Sequence, residues 1–390
     1  MKYNFDKIID RHHTDAIKIE RIHEVLKRDD VIPMWIADMD FATPDFILDV
    51  IKQRFEHPIL GYTERNEDWY QAIIEWQKNR FGWNVEHEWV NFVPGIVPGI
   101  AFSIQCFTKP GDKILIQTPV YSPYINVPKN NRRIVVESPL IINDKNQLEI
   151  DFDDFEKKAK ECKLFLLCHP HNPGGKVWTV EELQKMAEIC RRTGTIVVSD
   201  EIHADLTLKP FKHHPFASVS EDAAQNSVTF ASPSKAFNMA GLTSSYSIIP
   251  NDYLRKSFHE YMENNELNMG HLLSFISVTA AYTHGTDWLD ECLAYIQTNI
   301  DILKESLKEM PKLDMITPEA SYLVFLDCRK LNMDENQMDD FFVNKAHIVL
   351  NDGFRFGEPG RGFMRMNVAV PRPILLKAIQ QLKDAYDSLD

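Results

Sequence analysis

The chain is short of several features that would each point to a function. Its six cysteines are scattered without a Cys-x-x-Cys pair, so a reducing compartment fits better than a disulfide framework. No apolar run is long enough to span a bilayer, and the N-terminus has no stretch of signal-peptide length. The 43 basic residues are outnumbered by 57 acidic ones, and the net charge of −14 argues against a nucleic-acid or anionic-membrane partner. These absences predict a cytoplasmic protein.

Nucleotide and metal motifs are also missing. There is no glycine fingerprint of a dinucleotide-binding turn, and Gly174-Gly175-Lys176 lacks the spacing and the following hydroxyl of a Walker loop. Histidines lie close together at positions 12–13, 169–171 and 213–214, but the cysteines do not converge with them. We therefore expect no metal site.

What the chain does have is a regular alternation of strand-like and helical segments. Two early helices are predicted at 44–57 and 67–80, and a capping box from Thr179 to Glu182 opens a third at 180–192. Short apolar runs that read as strands occur at 113–118, 133–136, 163–168, 195–199, 227–231 and 244–249. Short apolar strands that alternate with helices predict an α/β fold with a mostly parallel sheet covered on both faces.

The pattern changes after about residue 285. A long helical stretch at 286–310 is followed by a strand at 321–327, a helix near 335–345, short strands around 347–350 and 363–369, and a closing helix from 372. Since 390 residues are many for a single core, this texture predicts a second, smaller α+β domain.

The most informative segment is Ser-Pro-Ser-Lys-Ala-Phe-Asn at 232–238, which places Lys235 directly after a strand-like run. A lysine amine forms an imine only when it is deprotonated, and burial lowers its pKa from the usual value of about 10.4. Alone, the segment is ambiguous, because Ser-x-x-Lys is also a nucleophile motif of penicillin-recognising enzymes. An isolated lysine at a strand end is usually a surface residue.

An amide and an acid precede this lysine, each after its own apolar run. Asn172 lies in a Pro/Gly turn, and Asp200 ends the run at 196–199. Because ligands bind at the carboxyl ends of parallel strands, the two side chains and Lys235 can meet in one crevice. The alternatives are an Asx-turn for Asn172 and a helix N-cap for Asp200.

Three further features could complete a site for a flat, phosphorylated ligand. Tyr121 follows another strand and could stack on an aromatic ring, or pack in the core. The loop 94–99 opens a helix predicted at 100–107, so the N–H groups of Ile96 and Val97 could bind phosphate. Arg365, in a strand-like segment, could grip a carboxylate with both arms of its guanidinium, or lie exposed on an edge strand.

The order of amide, acid and lysine resembles the pyridoxal-phosphate (PLP) enzymes of the aspartate-aminotransferase fold, which are aminotransferase class I/II proteins of fold type I. Within that fold, the chain looks most like the MalY/PatB-type cystathionine β-lyases, also called C–S lyases. The matching segments are 34–41, 61–63, 169–173, 199–205, 233–235 with 237–238, and 365–371.

The resemblance implies the architecture. It implies a large PLP-binding domain at 45–285, with a mostly parallel seven-stranded sheet between layers of helices. It also implies a small discontinuous α+β domain made of 1–44 and 286–390. The protein would be a homodimer in which Tyr62 reaches the phosphate held by the neighbouring subunit.

The resemblance also implies roles for the residues around the cofactor. Lys235 would form the Schiff base (aldimine) with PLP, Asp200 would pair with the ring nitrogen, and Asn172 would bond the phenolic oxygen. Two positions depart from the general aminotransferase pattern, since His203 replaces a common tyrosine and Thr243 replaces a phosphate-binding arginine. Phosphate contacts would then fall to Ile96, Val97, Ser232, Ser234 and the partner's Tyr62.

The implied activity is β-elimination at a sulfur-containing amino acid such as cystathionine or cysteine, giving a thiol, pyruvate and ammonia. Arg365 would bind the substrate carboxylate, while Trp35, Tyr124 and Phe354 are candidate pocket walls. An aminotransferase is the main alternative, because it uses the same cofactor and the same carboxylate clamp. A second alternative is an additional regulatory role in which the PLP domain binds a partner without catalysis.

Overall fold

The computed structural model describes residues 2–389, so Met1 and Asp390, the outermost residues of the predicted small domain, lie outside the described residues. The helices are α1 (Ile17–Leu26), α2 (Asp45–Phe55), α3 (Glu67–Phe81), α4 (Ile96–Phe107), α5 (Pro123–Asn130), α6 (Phe152–Ala159), α7 (Val180–Thr193), α8 (Glu221–Gln225), α9 (Asp252–Asn264), α10 (Leu272–His284), α11 (Thr286–Leu307), α12 (Glu335–Asp339) and α13 (Arg372–Asp387).

The strands are β1 (Ile32–Pro33), β2 (Val90–Val93), β3 (Lys113–Ile116), β4 (Ile134–Glu137), β5 (Ile141–Ile142), β6 (Leu148–Glu149), β7 (Leu164–Cys168), β8 (Ile196–Asp200), β9 (Ser227–Ala231), β10 (Ser245–Ile248), β11 (Asp314–Ile316), β12 (Leu323–Asp327), β13 (Ile348–Val349), β14 (Asn351–Asp352) and β15 (Phe363–Asn367). Within residues 2–389, no helix combines the length and the apolar character that crossing a bilayer requires.

The main sheet has seven strands in the order β2-β10-β9-β8-β7-β3-β4. The last five of these strands, β9 to β4, are parallel to one another. Strand β10 is antiparallel to both of its neighbours, β2 and β9. Every residue of β7, β8 and β9 is buried or nearly so, because helices cover both faces. The predicted mostly parallel sheet is therefore confirmed.

Side-chain alternation along β7 shows how the two faces are filled. Leu164 and Leu166 pack with α4 and α9, whereas Phe165 and Leu167 pack with α6 and α7 on the opposite face. A strand that is apolar at every position fits only between two such layers. This explains why the central strands read as continuous apolar runs in the sequence.

A second sheet lies in the C-terminal part, with the antiparallel order β11-β12-β15-β14. The N-terminal part joins the C-terminal part through a parallel pairing of β1 with β13, in which Ile32 lies opposite Ile348. This contact is consistent with a discontinuous small domain. The proposed boundaries at 44/45 and 285/286 stay a prediction.

Three local features differ from the sequence-based expectation. Helix α4 begins at Ile96, not at residue 100, because Pro98 sits in its first turn, where the missing N–H would have had no partner. Strand β2 was not expected, and it pairs with β10 at the sheet edge. The predicted helix near 335–345 is α12 followed by a π-helical stretch, Asp340–Lys345.

Residues 35–41, here called the cover segment, are tied down by two asparagine side chains. Asn367 on β15 donates to the carbonyls of Ile36 (2.7 Å) and Asp38 (2.6 Å) and accepts from the Ala369 N–H at 2.9 Å. Asn238 donates to the carbonyls of Met39 (3.0 Å) and Phe41 (2.7 Å).

Charges add to this attachment. Asp40 accepts from Arg11 at 2.8 Å and from the fully buried Lys18 at 2.9 Å, while Arg11 also grips Asp38 at 2.7 Å. The N-terminal part therefore holds the cover segment from one side, and the two asparagines hold it from the other.

Replacing Asn367 by Ala should destabilise the protein by about 2 kcal/mol, because two partly buried carbonyls and one buried N–H lose their partner. Equilibrium unfolding in urea measures the change. The matched control is Asn79→Ala, since Asn79 is exposed on α3. Equal midpoints for the two variants would contradict the anchoring role of Asn367.

Candidate active site

A cavity of about 250 Å³ opens at the carboxyl ends of β7, β8 and β9. Asn172 follows β7 by four residues, Asp200 is the last residue of β8, and Lys235 follows β9 by four residues. Neighbouring parallel strands thus deliver the three predicted side chains to one edge of the sheet. The cavity is lined by Ala37, Pro94, Gly95, Ile96, Val97, Pro98, Tyr121, Cys168, Asn172, Asp200, Ile202, His203, Ser234, Lys235, Ala240, Thr243, Ser244 and Ser245.

Lys235 projects its amine toward the cover segment. The Nζ atom donates to the carbonyl oxygen of Ala37 at 2.6 Å. Burial and the nearby Arg365 guanidinium lower the pKa of Lys235 to about 8, against the opposing pull of Asp38 and Asp200. A minority of the amine, about a tenth, is therefore unprotonated at pH 7, and this is the form that can react with a carbonyl.

Asp200 lies on the cavity wall with both carboxylate oxygens bonded. Its Oδ1 accepts from the Ile202 N–H at 3.1 Å, and its Oδ2 accepts from the Tyr124 hydroxyl at 3.0 Å. Burial raises the pKa of Asp200 to about 6, although these two hydrogen bonds lower it. The acid is thus mostly ionised at neutral pH and ready to pair with a cationic ring nitrogen.

His203 occupies the position at which the general aminotransferase pattern commonly has a tyrosine. Burial, together with the charges of Lys235 and Arg365, lowers the pKa of His203 to about 3, so the imidazole is neutral. Its Nδ1 atom is buried and has no hydrogen-bond partner in the protein. A bound group in the cavity could supply that partner.

The far end of the cavity is built from helix α4 and a run of hydroxyls. The N–H groups of Ile96 and Val97 begin the helix and have no intrahelical acceptor, and the third position, Pro98, has no N–H. Ser234, Thr243, Ser244 and Ser245 line the same end. The buried Ser244 hydroxyl has no partner, which leaves it free for an anion.

Ser232 lies behind this wall. Its hydroxyl donates to the Ser244 carbonyl at 3.2 Å and accepts from the Ser234 N–H at 3.2 Å, and it is not a lining residue. A direct contact between Ser232 and a phosphate stays a prediction. The sequence did not indicate that Ser244 and Ser245 line the cavity.

Arg365 reaches the cavity edge from β15. One terminal nitrogen donates to Asn172 Oδ1 at 3.1 Å, the other donates to Asn351 Oδ1 at 2.6 Å, and the guanidinium stacks 4.9 Å from the Phe356 ring. Burial lowers the pKa of Arg365 to about 10, so it remains a cation at neutral pH. Asn351 had no distinguishing local signal in the sequence, because it lies in a short two-residue strand.

The two predicted tyrosines are placed differently. Tyr121 lines the cavity, and its backbone N–H donates to the Asn172 carbonyl at 3.1 Å. Tyr62 is 98% exposed, in the irregular segment between α2 and α3, and does not line the cavity of its own chain. Its role across a subunit interface stays a prediction.

The candidate pocket walls were wrong, since none of the three lines the cavity. Tyr124 is fully buried beneath it, and the Trp35 ring N–H donates to the Lys18 carbonyl at 2.9 Å. Phe354 is 40% exposed and stacks on Arg361. Of the predicted aromatic residues, only Tyr121 therefore lines the cavity in the part of the chain that the structure describes.

These residues fit pyridoxal phosphate. The cavity offers an amine whose pKa is lowered to about 8, a mostly ionised acid, an unpartnered imidazole nitrogen, and a helix start beside a hydroxyl that has no partner. Fold and site together define an α/β enzyme that uses this cofactor.

Comparison with known proteins agrees. The profile of the family described as "Aminotransferase class I and II" matches residues 29–382. The chain is 39% identical to cystathionine beta-lyase PatB of Bacillus subtilis (98% of this chain, 99% of the other) and 32% identical to protein MalY of Escherichia coli (98% of each). The structure of a PLP-bound C-S lyase from Staphylococcus hominis superimposes with a TM-score of 0.91 at 36% identity, covering 98% of both chains.

The chain belongs to the aminotransferase class I and II family. Within that family it groups with the PatB and MalY proteins, as the sequence predicted, and its cofactor is pyridoxal phosphate.

Proposed function

We propose that the chain is a PLP-dependent carbon–sulfur lyase that cleaves the Cβ–S bond of an amino acid such as L-cystathionine, giving a thiol, pyruvate and ammonia. The observation that carries the proposal is the Lys235 amine, which lies in one cavity with Asn172 and Asp200 and whose pKa is lowered to about 8 by burial and the nearby Arg365. The similarity to a cystathionine beta-lyase and a C-S lyase supports it.

The residues divide the tasks of holding cofactor and substrate. Bound PLP supplies a covalent link to an amine and an electron-withdrawing ring. Asp200 would hold the ring nitrogen, Tyr121 would cover a ring face, and the N–H groups of Ile96 and Val97 would bind the phosphate. Arg365 remains charged and would bind the substrate carboxylate with the hydrogens that its two asparagine partners leave free.

Lys235 would then act as the base. The Lys235 amine, when it is not linked to the cofactor, would accept the Cα proton. The electron pair left at Cα would form the Cα–Cβ double bond as the Cβ–S pair departs with sulfur, and the Lys235 ammonium would return a proton to the sulfur. One water would then hydrolyse the unsaturated amine to pyruvate and ammonia. A pKa of about 8 suits a group that must take a proton and give it back near neutral pH.

We also propose that the active form is a homodimer with shared sites. The end of α2, the segment between α2 and α3, and the loop before α10 present exposed apolar side chains, namely Phe55, Ile59, Leu60, Tyr62 and Met269. Exposed apolar groups gathered in this way are typical of a surface that packs against another copy. Tyr62 in such a surface would reach the phosphate end of the neighbouring cavity.

The PLP-loaded protein should release pyruvate from L-cystathionine without any added 2-oxo acid, together with one free thiol per pyruvate. Lys235→Ala should abolish this turnover, because both the attachment point and the base are lost. Pyruvate assays coupled to thiol titration make the measurement. If no pyruvate forms but amino groups are transferred once a 2-oxo acid is added, the protein is an aminotransferase and the proposal is wrong.

The shared site predicts complementation between two defective variants. Tyr62→Ala and Lys235→Ala should each have little activity, whereas co-refolded mixtures should recover about a quarter of the wild-type rate, because half of the dimers carry one complete site. The rate of pyruvate formation after mixing measures it. Mixtures that stay as inactive as the separate variants, despite forming dimers in sedimentation experiments, would show that Tyr62 does not act across subunits.

A further inference from the structure

A fully buried phenol lies directly behind the cofactor-binding acid. Tyr124 belongs to α5, and its hydroxyl is 3.0 Å from Asp200 Oδ2 and 3.3 Å from the carbonyl oxygen of Leu167. A phenol has one proton to donate, and a bond to an ionised acceptor is the stronger of the two. The hydroxyl is therefore a donor to Asp200.

We propose that Tyr124 is a positioning residue for Asp200, fixing one carboxylate oxygen and keeping the acid ionised where the ring nitrogen binds. The inference rests on the proposed role of Asp200. It assigns a task to Tyr124 that neither the motif around Lys235 nor the residues lining the cavity indicate.

The geometry of the carboxylate supports this. The Ile202 N–H bonds Oδ1 and the Tyr124 hydroxyl bonds Oδ2, so each oxygen has one donor from the protein. Two donors on different oxygens fix both the position and the rotation of the carboxylate plane. A carboxylate accepts about four hydrogen bonds, so positions remain for a ring N–H in the cavity.

The Tyr124 hydroxyl is one of the few groups that lower the pKa of Asp200. Burial is the largest influence and raises the pKa of Asp200, and the neighbouring Glu201 raises it further. The Ile202 N–H, the Tyr124 hydroxyl and Lys235 oppose these effects.

The other titratable groups that face Asp200 are uncharged near neutral pH. Tyr121 follows β3, and Cys168 ends β7; burial raises the pKa of both. Burial also raises the pKa of Tyr124 well above its usual value, so its hydroxyl remains a donor throughout the working range. Since attachment of the cofactor to Lys235 removes the charge of its free ammonium group, the Tyr124 hydroxyl and the Ile202 N–H are the groups that continue to lower the pKa of Asp200.

The test measures the dissociation constant of pyridoxal phosphate for the full chain between pH 5 and 8.5. Protonation of Lys235 should weaken binding below about pH 8 in every variant, and because the ring nitrogen pairs with the ionised acid, wild-type binding should weaken more steeply below about pH 6. In Tyr124→Phe the break should move up by about one pH unit, since a hydrogen bond to a charged group changes its proton affinity roughly tenfold. The acid limb of kcat/KM for the loaded enzyme should move in the same direction.

Tyr246→Phe is the matched control. Tyr246 is also fully buried, but its hydroxyl bonds Tyr282 at 2.8 Å and Gln77 at 3.1 Å, away from Asp200. Its break should stay at the wild-type pH. An unmoved break in Tyr124→Phe, an equal shift in Tyr246→Phe, or equal weakening at every pH in Tyr124→Phe would overturn the proposal.

Asp200→Asn separates this inference from the function on which it rests. This variant should lose the break near pH 6 and keep only the weakening that protonation of Lys235 causes below about pH 8, and adding Tyr124→Phe to it should then have no pH-dependent effect. A break near pH 6 that survives in Asp200→Asn would overturn both the role of Asp200 and the inference. If Tyr124→Phe fails to fold, 2,3-difluorotyrosine at position 124 replaces it in the test, because this residue keeps the shape of tyrosine and donates a stronger hydrogen bond. The break near pH 6 should then move to lower pH, and an unmoved break would overturn the inference.

Discussion

Everything at this site depends on lowering the pKa of one buried lysine amine far enough that it can lose its proton near neutral pH. A lysine in water is almost wholly cationic at neutral pH, so the protein must remove water and place a positive charge nearby. Burial beneath the cover segment does the first, and Arg365 does the second. Neither the burial nor the positive charge comes from residues close to Lys235 in the chain, because Ala37 and Arg365 lie about 200 and 130 positions away.

The fold explains how such distant residues meet. The parallel strands β7, β8 and β9 bring Asn172, Asp200 and Lys235 to one edge of the main sheet, while β15 brings Arg365 from the smaller sheet. The hydrogen bond between Arg365 and Asn172 joins the two sheets at the cavity. Asn367, on the same β15, holds the cover segment, so one strand carries both Arg365, the proposed ligand of the substrate carboxylate, and an anchor of the cover segment.

The sequence predicted the elements whose signals are local. Strand β7 is apolar at every position, β9 has apolar side chains at Val228, Phe230 and Ala231, and the capping box at Thr179 and Glu182 marks the start of α7, so these three elements were predicted. It could not predict that Asn351 pairs with Arg365 or that Tyr124 bonds Asp200, because such pairs depend on how separate elements pack. The start of α4 was placed too late because Pro98 reads as a breaker, although a proline is compatible with a first turn. The candidate pocket walls failed because apolar size alone does not distinguish a core position from a cavity lining.

The most direct test of this account is to reduce the PLP-loaded protein with borohydride, digest it and locate the cofactor by peptide mass spectrometry. The account predicts the added mass of the reduced cofactor on Lys235 alone, and none in Lys235→Ala. A label on a different lysine, or no label on a protein that still turns over substrate, would contradict it.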